Sequence, residues 1–443
     1  MTFFRKGVLA SAGHFAAQLV NVLGTMLLAR ALEADMGQYD LFRNVATLAV
    51  TVASLGIGSA NVYVLNGRNA ALRPLAATTV KLFAALGTVL AAGLTAAILG
   101  FDAYFGRVPA EVAAAFGVAA AATLGVAMLR SFLTARLAVA RLVVLDLVAP
   151  GVVLAGAAAL FPAGRLDARA ALLLSSAGQV ASLAVLLAFL RRDLDLRAPF
   201  DGALLREVLR HGVRNFAANL MGIVLAALTL MLLRYLSLGD GRFGPVSLYT
   251  RATALCGMGM MMPAAVGPLL YARWSGALGA ERRGQVELAG RLNVAYGMAV
   301  AVLLVTSGKV LLRAVYGAAF VPAQAAVYVL GPAYALKGLF DVYINLFASD
   351  GRAGLTAAIL AGATGVAVVT TWTLVPRWGI VGAGLAVLLA EVFSVTVAAA
   401  LGRRLYGVRL AKCVTPRWAD LRLVAGQLRP GGAAPAPGRE SVA

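Results

Sequence analysis

Histidine and cysteine are almost missing from this chain of 443 residues, with two of each. His14 and His211 are too few for a histidine metal centre. Cys256 sits in an apolar stretch and Cys413 in a polar one, so neither a disulfide framework nor a thiolate metal cluster is available. Charge is scarce as well, at 13% of residues, against about 25% in soluble domains. Carboxylates are the scarcer sign, 19 against 39 lysines and arginines. Neither a Walker glycine-lysine run nor an H-E-x-x-H sequence occurs. No metal, nucleotide or other cofactor is expected, and no catalytic nucleophile stands out, so the chain does not read as an enzyme.

Apolar residues fill the space instead: 61% of the chain is hydrophobic and the mean hydropathy is +0.85. That excess rules out a water-soluble globular domain and predicts an all-α polytopic membrane protein, because backbone exposed to lipid must satisfy its own hydrogen bonds. The net charge of +20 would suggest nucleic acid in a soluble chain. In a membrane protein such charge collects in cytoplasmic loops, and no nucleic-acid partner is expected. The opening MTFFRKGVLASAG imitates a signal peptide, but the apolar run continues to Leu32. At about 1.5 Å per residue it crosses roughly 30 Å of hydrocarbon, so it reads as an uncleaved first helix.

Twelve apolar segments of membrane length follow one another, at about 8–30, 41–65, 75–100, 111–134, 144–162, 169–190, 214–237, 246–270, 290–312, 323–347, 354–375 and 379–401. With the N-terminus inside, roughly 25 basic residues fall on the inner side and about 7 on the outer, a decisive positive-inside bias. Both termini are therefore expected on the cytoplasmic side. The chain divides into a six-helix lobe at 1–190, a cytoplasmic linker with an amphipathic helix at 191–213, a second six-helix lobe at 214–401, and a basic, partly disordered tail at 402–443.

The two halves repeat. HFAAQL at 14–19 matches NFAANL at 215–220, and LLARAL ending at Leu32 matches MLLRYL ending at Leu236. GQYDLFRN at 37–44 matches GPVSLYTR at 244–251, and Leu129-Arg130 matches Leu336-Lys337. Corresponding helices start on the same side of the membrane, so the repeats are parallel, and transporters built this way carry substrate between their halves.

The run LLARAL, a short loop, then GQYDLFRNVATLAVTVASLGIGSA and the turn NVYVLNGRN resembles the opening of the polysaccharide-transporter, or O-antigen flippase, family. That family lies within the multidrug/oligosaccharidyl-lipid/polysaccharide exporter superfamily. The motif resemblance covers about the first 70 residues, while the topology agrees over roughly 400. It implies two six-helix lobes around a central cavity. The implied activity is flipping of undecaprenyl-pyrophosphate-linked oligosaccharide from the cytoplasmic to the periplasmic leaflet by alternating access. O-antigen, capsule or exopolysaccharide synthesis would use the product, with a polysaccharide polymerase and chain-length machinery as candidate partners besides the membrane lipids.

Candidate site residues follow the repeat. His14, Gln18, Asn21 and Thr25 share one face of the first helix, and Asn215 and Asn219 repeat the stripe on the seventh. Hydrogen bonding between helices explains such a stripe; lining a cavity that contacts sugar or phosphate is the other reading. Arg30 and Arg234 lie near the outer ends of their helices, where snorkelling suffices. Arg43 and Arg251 lie deeper at nearly equivalent positions, and guanidinium forks grip phosphate bidentately. Lys337 has Asp341 one turn on, which suggests a local ion pair. Glu391, near the middle of the last span, must be protonated or paired, with Lys337 a candidate partner. Coupling to a proton or sodium gradient is the alternative for it.

Three competing functions remain. A cation-coupled multidrug exporter of the same superfamily should carry cavity acids, which the first helix lacks. A membrane-embedded glycan polymerase or ligase should have a large outer loop, and the outer loops here span only about 5 to 15 residues. A major-facilitator transporter should show a basic glycine motif after its second helix, absent from NGRNAALRP.

Overall fold

The computed structural model describes residues 3–67, 72–192, 200–237, 243–260, 263, 266, 267, 270, 271, 274 and 279–415; the tail beyond 415 lies outside them. The side chains of His14, Asn215 and Asn219 also lie outside the described set. The elements are α1 (Phe3–Leu32), α2 (Met36–Ser54), α3 (Ile57–Gly67), α4 (Leu72–Gly100), the single turn α5 (Asp102–Phe105), α6 (Ala110–Ala135), α7 (Val139–Leu160) and α8 (Ala168–Leu190). They continue as α9 (Gly202–Leu236), α10 (Gly244–Met258), α11 (Gly279–Val315), α12 (Gln324–Ser349), α13 (Ala353–Tyr406) and the short α14 (Leu410–Val414). Short 3-10 turns at Glu33–Asp35 and Ala318–Ala323 complete the connections. The protein is an all-α polytopic membrane protein.

Among the described residues, eight stretches are long and apolar enough to cross a membrane unaided. Two of them hold two spans each: Phe15–Ser54 runs through the Glu33 turn, and α13 is two helices joined at Gly379, whose φ of 53° is not helical. Adding α9, whose described apolar part is Leu220–Leu236, and α10 brings the twelve expected segments into view. The second span differs from expectation in being broken. Leu55 (φ 47°) and Gly56 (φ 69°) are left-handed, which splits it into α2 and α3. The amphipathic stretch before the seventh span is likewise no separate element. Asp201 caps α9 by accepting bonds from the Ala203 and Leu204 amides at 3.0 and 2.9 Å, and the helix runs on unbroken to Leu236.

Packing repeats the sequence duplication. In the first lobe α1 lies on α7, α4 on α6, and α6 and α7 both on α8. In the second, α9 lies on α13, α11 on α12, and α12 on α13. Several hydroxyls within the spans are satisfied inside their own helix: Thr123 donates to the Ala119 carbonyl, Ser176 to Leu172 and Thr364 to Leu360, each at 2.8 Å. Between the lobes, α2 meets α9 and α10, and α3 meets α9.

Closure is tightest at the membrane end that carries Glu33. There the Arg251 Nη2 bonds both oxygens of Asp40, at 2.6 and 2.5 Å, across the lobe boundary. Thr250 donates to the same carboxylate at 2.6 Å and Ser247 to the Glu33 carbonyl at 2.9 Å. Arg234 donates from Nε to the Tyr104 carbonyl (2.9 Å) and from Nη2 to that of Ala103 (3.1 Å), and its guanidinium covers the Phe243 ring at 4.0 Å. Nearer the other end, which carries Asp350, the lobes touch backbone to backbone. A Cβ on Gly212 would sit 2.8 Å from the Leu55 carbonyl oxygen.

Candidate functional site

Among the described residues, three cavities open in the interior. The largest, about 670 Å³, lies between α1, α2 and α10. Phe15, Leu19, Val22, Met258 and Met260 make much of its wall apolar, while Gln18, Asn21, Thr25, Arg43 and Arg251 supply the polar part. No carboxylate stands among its described lining residues.

The second cavity, about 370 Å³, lies within the first lobe and shares Gln18, Asn21, Thr25 and Arg43 with the first. Tyr39, Arg130, Asp146, Ser175 and Gln179 line the rest of its polar surface. Arg130 and Asp146 form an ion pair at 3.2 Å, and Gln179 accepts a bond from Thr123 at 3.2 Å. The third cavity, about 520 Å³, lies in the second lobe and includes Asn44, Thr250, Tyr334, Lys337, Thr356 and Glu391.

Arg43 stands at the junction of the first two. It is exposed to the cavities, and it has no hydrogen-bond or ion-pair partner among the described residues through its guanidinium. It lies seven residues into α2, roughly 10 Å below the Glu33 end at 1.5 Å per residue. An unpaired guanidinium at that depth persists only where water or an anionic guest reaches it. The expected polar face of α1 is present as the cavity wall through Gln18, Asn21 and Thr25, with Thr25 donating to the Asn21 carbonyl at 2.7 Å.

The other candidate arginines are placed differently. Arg251 lines the large cavity but spends Nη2 on Asp40, with side-chain exposures of 4% and 9% for the pair. Its Nε and Nη1 are buried without partners among the described residues, and Tyr316 faces its guanidinium at 5.2 Å. Arg234 lines none of the three cavities; its carbonyl and ring contacts make it a tie between lobes. Arg30 lies at the protein exterior and donates to the Ala314 carbonyl. It too is placed outside the cavities, because α1 ends two residues later and the side chain reaches sideways to α11.

In the second lobe Lys337 pairs with Asp341 at 3.4 Å, as its spacing suggests. Glu391, 6% exposed, opens into the same cavity with one carboxylate oxygen unpartnered, and Lys337 acts on it electrostatically. The two lobes thus carry matching equipment: Arg130 with Asp146 beside Gln179, and Lys337 with Asp341 beside Glu391. Gln179 and Glu391 each stand eleven residues beyond the start of their helices, Ala168 and the residue after Gly379.

Sequence reasoning passed over Asp40, Asp146 and Gln179. Asp146 left a signal, since a lone carboxylate in RLVVLDLVAP must find a partner in hydrocarbon. Asp40 left little, because its partner is 211 residues away.

No family model and no curated protein matches the sequence. Solved structures do. An inward-facing multidrug resistance MATE family transporter of the MOP superfamily matches with a TM-score of 0.71 at 13% identity, over 90% of this chain and 98% of its own. The lipid II flippase MurJ, in an inward closed conformation, matches with a TM-score of 0.71 at 11% identity, over 95% and 91%. A MOP superfamily transporter from Pyrococcus furiosus Vc1 (DSM3638), described by the reverse polarity of its binding pocket, matches at 0.64 and 13%, over 91% and 95%. The chain has the fold of MOP superfamily transporters.

Proposed function

We propose that this protein is a flippase for a lipid-linked oligosaccharide carrying a pyrophosphate, of the undecaprenyl-pyrophosphate type. It moves that substrate from the cytoplasmic to the periplasmic leaflet of a bacterial inner membrane, with both termini cytoplasmic, for O-antigen, capsule or exopolysaccharide synthesis. The observation that carries the reading is Arg43: an unpaired cation where a half-apolar cavity meets a small polar one. Guanidinium forks suit a diphosphate. The Gln18, Asn21, Asp146 and Gln179 side chains offer the donors and acceptors that sugar hydroxyls require, and the apolar wall suits a polyprenyl chain. Arg251 joins the diphosphate when the lobes part and Asp40 releases it. In this reading the Glu33 end faces the periplasm and the Asp350 end the cytoplasm.

The second-lobe cavity supports an energy-coupling role for Glu391 beside Lys337, drawing on a proton or sodium gradient. Cation-coupled multidrug export is the second reading, favoured by the fold shared with a MATE transporter and by the carboxylates at Asp146 and Glu391. The discriminating experiment expresses the gene in a strain lacking its own O-antigen or exopolysaccharide flippase. Surface glycan should return with a matched sugar pathway. Arg43→Ala should lower export about tenfold to a hundredfold at unchanged membrane level, the loss of one charge-assisted contact of roughly 1.5–3 kcal/mol. Cationic-drug resistance without glycan export would select the second reading.

A further inference from the structure

A fourth pocket, about 500 Å³, opens at the Asp350 end, where α11 begins, α12 turns into α13, and α13 ends. It is separate from the three interior cavities and plays no part in the proposed transport path. Arg282, Arg283 and Arg352 line it against a single carboxylate, Asp350, and its floor includes the first residue of α11, Gly279. Asp350 is fully committed: it accepts from the Tyr406 hydroxyl at 2.9 Å, pairs with Arg282 at 3.3 Å and takes the Arg352 Nε at 3.0 Å. Arg282 and Arg352 are further held over the Tyr406 ring at 4.9 and 6.0 Å.

The carboxylate therefore serves as the brace that aims two guanidinium groups, leaving the pocket two positive charges in excess. Arg283 has no hydrogen-bond or ion-pair partner among the described residues and rests beside Gly407. Arg403 and Arg404, in the last turn of α13, add to the positive field.

We propose that this pocket is a binding site for a phosphoryl group. Arg283 and the outer Nη atoms of Arg352 contact its oxygens, while Arg282 and Asp350 hold the frame. Its depth, at the ends of three membrane-spanning helices, suits the phosphodiester of an acidic lipid headgroup; a free phosphate ester offers the same chemistry from the aqueous side.

The test uses the full-length protein in nanodiscs of phosphatidylcholine alone or with added phosphatidylglycerol, and separately titrates inorganic phosphate against the phosphatidylcholine sample. Thermal unfolding is followed in each case. A higher midpoint with phosphatidylglycerol and none with inorganic phosphate identifies a lipid headgroup; a rise with both identifies a site open to soluble phosphate. Arg283→Ala, which breaks no hydrogen bond or ion pair among the described residues, should weaken the apparent affinity about tenfold, with Arg283→Lys intermediate. Removing Arg191 and Arg192, exposed basic residues of the first lobe, should leave the response intact. No rise with either ligand overturns the proposal. So does a rise that survives Arg283→Ala or disappears with the Arg191 and Arg192 pair, since surface charge then suffices.

Discussion

Asp40 and Arg251 are both buried, and each is the other's counter-charge across the lobe boundary. Truncating one partner of such a pair costs about 3–5 kcal/mol, because the survivor stays buried and uncompensated. Asp40→Asn should therefore loosen the Glu33 end specifically. A cysteine at Ser247, 1% exposed in the closed form, should react faster with a water-soluble maleimide in the Asp40→Asn background. The native Cys256 and Cys413 are buried and contribute little background. The exchanged pair, Asp40→Arg with Arg251→Asp, should restore slow labelling; unchanged labelling in the single variant would dismiss the pair as a lock. At the other end, the Tyr406 hydroxyl, then Arg282 and Arg352, hold the Asp350 carboxyl below its ordinary 3.8. A depressed carboxylate contributes stability above its unfolded value and loses it as pH falls through the folded one. The stability difference between wild type and Asp350→Asn should thus be level above about pH 5 and shrink below about pH 4. A difference that instead changes between about pH 6 and 8 would point to another group.

Among the elements, glycines separate helix faces that touch from faces that do not. A Cβ on Gly37 would lie 2.8 Å from the Ser247 amide, and one on Gly56 would lie 2.7 Å from the Gly212 carbonyl oxygen at a φ of 69°. Gly93 and Gly151 have nothing within 4 Å. Alanine at Gly37 or Gly56 should lower the unfolding midpoint, with roughly 1–2 kcal/mol at Gly56 from the left-handed backbone alone. Alanine at Gly93 or Gly151 should leave it unchanged or slightly raised, and an equal fall at all four would contradict the assigned packing. The same elements mark how far the sequence could be read. Length and hydropathy of each run sufficed for the spans, because lipid demands helices. The break at Leu55 was not legible, since it arises where α3 packs against α9 of the other lobe. Nor was the continuity of α9, which rests on Asp201 acting as its cap. The spacing of Gln18, Asn21 and Thr25 announced a shared face, but whether that face met a helix or a cavity depended on α1 packing against α7 while leaving α10 at a distance. Depth in the span set Arg251 apart from Arg234, but only their neighbours from distant segments show that Arg234 ties the lobes and that Arg251 lines the cavity while paired with Asp40.

For the molecule as a whole, the lobes meet through polar ties at the Glu33 end and through the contacts of α2 and α3 with α9 and α10, and this helix packing is less extensive than the packing inside either lobe. That contrast makes each lobe the rigid unit and the boundary the place where motion costs least. Alternating access then requires the Glu33–Ser247 and Asp40–Arg251 contacts to part in every cycle. Cysteines at Glu33 and Ser247, neighbours because the Ser247 hydroxyl donates to the Glu33 backbone carbonyl at 2.9 Å, can be joined by a short reducible thiol crosslinker. In the complemented strain or in vesicles, crosslinking should stop transport, and reduction should return it to the level of the uncrosslinked double variant. A crosslinker long enough to span the opened boundary should have little effect, which separates a blocked motion from chemical damage. Transport that continues at full rate with the short link in place would mean that substrate passes without separation of the lobes at this end.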